Sequence, residues 1–105
     1  MTETLKPIQT GGMCHLWQNV SGSFKHLFLK LDLRCEPDRY PGIVIVANAN
    51  CGSATASKVD NLSRELPALL QAFANDSVVY WSLQPDVQHR EEIFIELTQH
   101  PVFIG

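Results

Sequence analysis

The position in this sequence whose surroundings best suit chemistry is a cysteine in a loop of small residues. Cys51 follows the apolar run "IVIVA" and opens the stretch "CGSATAS". If this loop joins a strand to a helix, the N-terminus of the helix offers free N–H groups and a positive partial charge, which bind anions and lower the pKa of a thiol. Cys51 is therefore a candidate nucleophile, assisted by Lys58 or His26. The candidate ligand-binding residues are Asn50, Cys51, Gly52, Ser53, Thr55 and Lys58.

The residues that usually complete such a catalytic loop are missing from the sequence. A thioredoxin motif needs a second cysteine where Ala54 stands, and a tyrosine-phosphatase loop needs an arginine where Ser57 stands. A Walker loop needs a second glycine followed by a lysine, which the loop also lacks. Because small polar residues also form turns and helix caps, the pattern favours a strand-to-helix joint. A small enzyme or thiol-dependent carrier that uses Cys51 stays as the alternative hypothesis.

A second candidate site lies on the segment "SFKHLFLKLDLRC". Leucine occupies every second position from 27 to 33, which predicts a long strand 24–34 with the leucines on its buried face. The opposite face would then expose Phe24, His26 and Phe28 beside basic residues. Aromatic and basic side chains on a sheet are how some modules stack single-stranded bases. Single-stranded nucleic-acid binding is therefore a second alternative, although a net charge of -3 and scattered basic residues disfavour it.

The histidines and cysteines do not form a pattern of metal ligands. The chain has four histidines and three cysteines, with no CxxC pair and no two histidines four residues apart. These are the spacings at which zinc sites are found, so we expect neither a metal nor another cofactor.

The elements that would hold these residues are predicted to form one βαβ unit. The run "IVIVA" is apolar on both faces, as expected of a central strand over 43–49. Apolar residues then recur every three or four positions, which predicts a helix over 58–74, and "SVVYWSL" predicts a strand over 77–83. Together with the strand 24–34, this order predicts an α/β or α+β domain of two or three layers. Its mixed sheet would have four or five strands, and a thioredoxin-like arrangement is one possibility.

Two further segments are less regular. In residues 13–20, "MCHLWQNV", the apolar residues fit one helical stripe and fail strict alternation, which favours a short helix over a strand. In residues 86–99, the alternation of Ile93, Ile95 and Leu97 fits a strand, while a helix that buries Val87, Phe94 and Leu97 fits equally well. The two alternatives stay open.

The size and composition of the chain predict one globular domain. Its 105 residues match the usual domain size, so we expect a flexible lead-in over 1–12 and a single domain over 13–105. The chain has no apolar stretch of about 20 residues, and its first twelve residues lack the apolar centre of a signal peptide. With three widely spaced cysteines, a disulfide framework is not expected either. The sequence therefore predicts a cytoplasmic protein without a membrane partner.

No residue pattern in the sequence identifies a specific activity. The absence of a convincing catalytic set favours a binding or accessory module that acts through protein–protein contacts or self-association. Its partner would be a second copy of the chain, in a homo-oligomer, or a larger protein. Aromatic residues are enriched in protein interfaces. The candidate interface residues are Trp17, Phe24, Phe28, Tyr80 and Trp81.

Overall fold

The computed structural model describes residues 14–34, 36–71 and 77–105, which form six strands and two helices. The strands are β1 (Cys14–Gln18), β2 (Lys25–Lys30), β3 (Gly42–Ala47), β4 (Ala54–Val59), β5 (Val78–Leu83) and β6 (Val102–Phe103), and the helices are α1 (Leu62–Leu70) and α2 (Val87–Leu97). The predicted lead-in over 1–12 and the end of the predicted helix, residues 72–74, lie outside the described residues.

All six strands belong to one antiparallel sheet with the order β4-β3-β5-β2-β1-β6. The predicted mixed sheet of four or five strands with a βαβ unit is therefore wrong, and so is the thioredoxin-like arrangement. After β3 the chain turns back in a hairpin and pairs with itself as β4. The strand 77–83, observed as β5, therefore pairs antiparallel with β3 instead of parallel to it.

The second strand of the hairpin, β4, includes residues 58 and 59, which the sequence predicts as the start of the helix 58–74. In β4 the side chains of Ala54 and Ala56 are buried on the inner face, while Thr55 and Ser57 are half-buried and Val59 is buried on the opposite face. This is a strand pattern, but alanine and serine are weak strand formers, so the sequence resembles a loop. The helix α1 begins only at Leu62.

The start of α1 is fixed by side chains around the two preceding residues. The Asn61 side chain accepts a hydrogen bond from the Arg64 N–H at 3.1 Å, which caps the helix. The Glu65 carboxylate accepts the N–H groups of Asp60 and Asn61 at 2.8 and 3.0 Å. These bonds separate α1 from β4 by two residues.

The predicted helix over 13–20 is also wrong, because residues 14–18 form β1. This strand pairs with β2 over its whole length, from Cys14 opposite Leu29 to Gln18 opposite Lys25. A short turn joins the two strands, so β2 supplies the backbone hydrogen bonds that hold β1 as a strand. The local sequence of β1 does not reveal this pairing. The predicted strand 24–34 is shorter in the structure, where β2 ends at Lys30.

The two outer strands of the sheet are brought together by the segment that follows α2. The N–H of Ala56 in β4 donates to the carbonyl of Gln99 at 2.8 Å, and three residues later the chain pairs with β1 as β6. Three residues span about 11 Å at most, whereas the outer strands of a flat six-stranded sheet lie about 24 Å apart. The sheet must therefore curl, with one face inside.

The sheet has a core on each of its two faces. On the inner face α2 packs against the sheet, and on the outer face α1 packs against β3. The inner core comprises Trp17, Phe28, Ile43, Ile45, Ala47, Ala54, Ala56, Tyr80, Ile93 and Leu97. The outer core comprises Leu31, Val44, Val46, Val59, Leu62, Leu66, Val79 and Trp81.

Helix α2 resolves the alternatives for residues 86–99 in favour of a helix. The Asp86 side chain caps the N-terminus of α2, because it accepts a hydrogen bond from the His89 N–H at 2.8 Å. The buried Arg90 donates to the Asp60 carboxylate at 3.2 Å, so it ties α2 to the chain between β4 and α1. Val87, which was expected to be buried, is exposed. Neither α1 nor α2 has the length and apolar character that crossing a bilayer requires.

Candidate functional site

The loop around Cys51 is the turn of the β3–β4 hairpin. Its N–H groups, which were expected to hold an anion, are bonded within the loop. The Asn48 side chain accepts the N–H of Gly52 at 2.9 Å and of Ser53 at 3.1 Å, and the Asn50 side chain also accepts the Gly52 N–H at 2.9 Å. No helix N-terminus adjoins Cys51, because β4 follows. The physical basis for an activated thiol at a strand-to-helix joint is therefore missing.

The Cys51 side chain contacts the inner core and is half-buried. Its Sγ lies 3.5 Å from the Tyr80 hydroxyl, and the Cys51 backbone has a left-handed φ of 58°. Burial, followed by the contact with Cys51, raises the pKa of Tyr80 well above its ordinary value. The tyrosine therefore stays protonated and can donate to the sulfur. Lys58, the proposed assisting residue, pairs with Glu91 of α2 instead.

A group of four rings fills the inner face near Cys51. Trp17 contacts Tyr80 and Phe103 with ring centroids 5.1 and 5.2 Å apart, and His15 lies 5.5 Å from each of these two rings. Two atoms of this group, His15 Nε2 and Trp17 Nε1, are buried without a hydrogen-bond partner. Each such atom destabilises the fold by roughly 1–3 kcal/mol. The packing of the rings offsets this cost, and the group acts as core.

The proposed base-stacking face of β2 is not a free surface. Phe28 is fully buried against the inner core, and Phe24 is half-buried. His26 is hydrogen-bonded to Ser82 Oγ at 2.9 Å and contacts both phenylalanine rings. These rings face inward, under α2, so they cannot stack nucleic-acid bases without opening the core.

An open groove of about 490 Å³ lies between α2 and the turn after β1. It is lined by Phe24, His89, Glu92, Ile93, Ile95 and Glu96. The Asn19 amide, which is buried, donates to the Glu96 carbonyl at 3.0 Å and fixes one end of the groove. The two carboxylates and the histidine are exposed, so the groove contains no buried polar group that needs a ligand.

Four of the five candidate interface residues belong to the core. Trp17, Phe28, Tyr80 and Trp81 are each at most 3% exposed, so they are not available to a partner. The indole of Trp81 lies on the outer face over Gly42 and donates to Asp38 at 3.2 Å. These four aromatic side chains therefore pack inside the protein, and most of the exposed large apolar residues that the structure describes are aliphatic, with Tyr40 as an exception.

Some of these aliphatic residues lie side by side on the outer face of the sheet, beyond the edge of α1. Leu16 and Leu27 are paired across β1 and β2. Continuing the β2–β5 register from the pair Leu29–Trp81 by two residues places Leu83 beside Leu27. The Ile104 N–H donates to the Leu16 carbonyl at 2.8 Å, which places Ile104 beside Leu16. These four residues form one row across β1, β2, β5 and the residue that follows β6, named the outer strip from here on.

The outer strip is exposed along its length. Leu27 is 58% exposed, Leu83 47% and Ile104 43%, and Leu16 is half-buried. Because strand residues alternate between faces, the outer-face neighbours on β1 and β2 are Cys14, Gln18, Lys25 and Leu29. Only one of these, Lys25, carries a charge. Contiguous exposed apolar surface of this kind marks interaction sites.

The sequence around β2 indicates the outer strip, but its pattern predicts that this face is buried. The segment around β2 has apolar side chains on both faces, leucine on one and phenylalanine on the other. The alternation predicts that the leucine face is buried, and Leu31 does belong to the outer core, but Leu27 is exposed and Phe28 on the other face is fully buried. Which face of β2 is buried depends on where the two helices pack, and the alternation of residues within a strand does not show this.

No family model, curated protein or solved structure significantly matches this chain. In the part of the chain that the structure describes, no three histidine, cysteine or acidic side chains come close enough to hold a metal ion. The outer strip, with three aliphatic side chains more than 40% exposed, is therefore the feature of the described surface that bears on function.

Proposed function

We propose that this chain is a protein-binding module and that the outer strip, Leu16, Leu27, Leu83 and Ile104, is the surface through which it binds. The observation that carries the proposal is the alignment of four aliphatic side chains across three strands and the end of a fourth, three of them more than 40% exposed. Single exposed leucines are ordinary on protein surfaces, whereas a row of them on a rigid sheet is not.

The chemistry of the strip favours a protein as the partner. It contains aliphatic side chains and no charged residue, so a nucleic acid or another strongly charged ligand would gain little from it. The strip is held by hydrogen-bonded strands, which means that binding would order few additional residues. Burying aliphatic surface contributes about 25 cal/mol for each Å², so the partner must present apolar surface of its own.

The experiment is site-specific photo-crosslinking in the cells that naturally contain the protein. A photoreactive amino acid replaces Leu27 in one variant and Ile95 in the other. Ile95 is the matched control because it is 62% exposed but belongs to α2, which packs on the opposite face of the sheet. The proposal expects a discrete protein adduct from position 27 and none from position 95.

The outcome is decided by the difference between the two positions. No adduct from position 27, or the same adducts from both positions, would overturn the proposal, because binding through the strip requires the difference. The mass of the adduct also distinguishes another copy of the chain from a different protein. The cytoplasm remains the proposed location, and the cell fraction that contains the adduct would test it.

A further inference from the structure

We infer that the partner at the outer strip is a second copy of this chain, packed face to face through Leu16, Leu27, Leu83 and Ile104. This inference rests on the proposed function and names its partner. Two sheets that pack face to face lie about 10 Å apart with interdigitated side chains, and aliphatic rows are well suited to this contact.

The charge of the outer face is the first argument for a second copy. A surface that selects a different partner usually carries charges that complement that partner. The strip has none, and among the outer-face residues of β1 and β2 only Lys25 is charged. Two identical neutral surfaces meet without repulsion, and the net charge of -3 on each chain opposes association only weakly.

The area of the strip is the second argument. Three half-exposed aliphatic side chains, with Leu16 and the neighbouring Val102, present on the order of 400 Å² of apolar surface per copy. The smallest stable dimers bury about 600 Å² per copy, so the proposed contact must also include flanking polar residues. Such a contact lies at the lower end of the range for specific dimers, and the curl of the sheet away from this face limits it further. We therefore expect a reversible dimer with a dissociation constant in the micromolar range.

The test is sedimentation equilibrium on the purified full chain, from about 1 to about 300 µM, for the wild type and two variants. Leu27→Lys places a charge at the centre of the contact and is expected to raise the dissociation constant at least about 100-fold. Ile95→Lys makes the same change on the opposite side and is expected to alter it less than about threefold. Urea unfolding of each variant checks that the fold is intact, and Leu83→Lys replaces Leu27→Lys if that variant does not fold.

A native thiol gives a second measurement that needs no substitution. Cys14 is exposed on the outer face beside the strip, whereas Cys51 is half-buried against the inner core. If the copies meet at the strip, alkylation of Cys14 should slow at least about threefold over the same concentrations, as the dimer population rises. Alkylation of Cys51 should keep its rate.

The outcomes separate this inference from the proposed function. A dimer that dissociates in Leu27→Lys and persists in Ile95→Lys supports the second copy. A strict monomer, or a dimer indifferent to Leu27→Lys, overturns it. A monomer that still gives a strip-specific adduct to another protein in cells overturns only the second copy, whereas the loss of both signals overturns the proposed function as well.

Discussion

At the scale of single residues, a histidine of β2 that lies between two phenylalanine rings connects pH to stability. His26 is half-buried and bonded to Ser82, and Phe24 and Phe28 flank its ring. Burial, and then the nearby charge of His89, lowers the pKa of His26 below its ordinary value of 6.5. The folded protein therefore holds a proton at this position less well than the unfolded chain does.

The sign of the pH dependence follows from this difference. Well above pH 6.5 His26 is neutral in both states and contributes no pH dependence. As the pH falls through that value, the unfolded chain takes up the proton first, so the free energy of unfolding decreases. We expect His26→Gln, which keeps a hydrogen-bonding group near Ser82, to reduce this loss. Urea unfolding between about pH 7.5 and pH 5.5 measures it, and an equally steep loss in the variant would contradict the assignment.

At the scale of elements, the contact between β3 and β5 depends on a glycine. A Cβ atom added at Gly42 would lie 2.2 Å from the Ser82 carbonyl oxygen and 2.5 Å from the Trp81 ring. The backbone cannot move away, because Gly42 is paired with both β4 and β5. The absence of a side chain thus lets the Trp81 indole lie across the strand and close the outer core beside the outer strip.

Gly42→Ala should therefore destabilise the protein strongly. We expect a loss of about 3 kcal/mol or more in the free energy of unfolding, because neither the backbone nor the indole can yield cheaply. Gly52→Ala is the matched control, since its Cβ would meet only the flexible Asn50 side chain at 3.0 Å, and we expect less than about 1 kcal/mol. Urea unfolding compares the two, and equal losses would show that the contact at Gly42 is not limiting.

At the scale of the whole molecule, one edge of the curled sheet is a strand of two residues, β6. β6 forms few hydrogen bonds, so its position rests on the Phe103 ring, which contacts His15, Trp17 and Tyr80 on the inner face. The same short strand leads to Ile104, the last residue of the outer strip. The placement of this edge strand and the completion of the outer strip are therefore linked.

Phe103→Ala tests this link. We expect the free energy of unfolding to decrease by roughly 2–4 kcal/mol, because the substitution removes a half-buried ring from the group of four. The fluorescence of Trp17, which contacts this ring, should change as well. Val102→Ala, one residue away on the outer face and 42% exposed, should cost less than about 1 kcal/mol. If the two variants were equally stable, β6 would be held by its backbone alone.

The elements with a strong residue pattern can be predicted from the sequence alone. Alternating leucines placed a strand around β2, and apolar runs placed strands at β3 and β5, because period and β-branching act locally. It also indicated an apolar stripe around Leu62 and Leu66 in α1. The weak alternation of Ala54 to Val59 was misread, since small residues signal loops as readily as strands.

The tertiary structure decided how the strands pair and which faces are buried. Turning back at the β3–β4 hairpin made the sheet antiparallel and removed the helix N-terminus from Cys51. The packing of α2 on one face buried Phe28, and the limited reach of α1 left Leu27 exposed on the other. A strand with two apolar faces is compatible with either arrangement in sequence, because burial depends on contacts between residues distant along the chain. The exposure of the outer strip therefore depends on where the two helices pack, and the sequence pattern does not determine this.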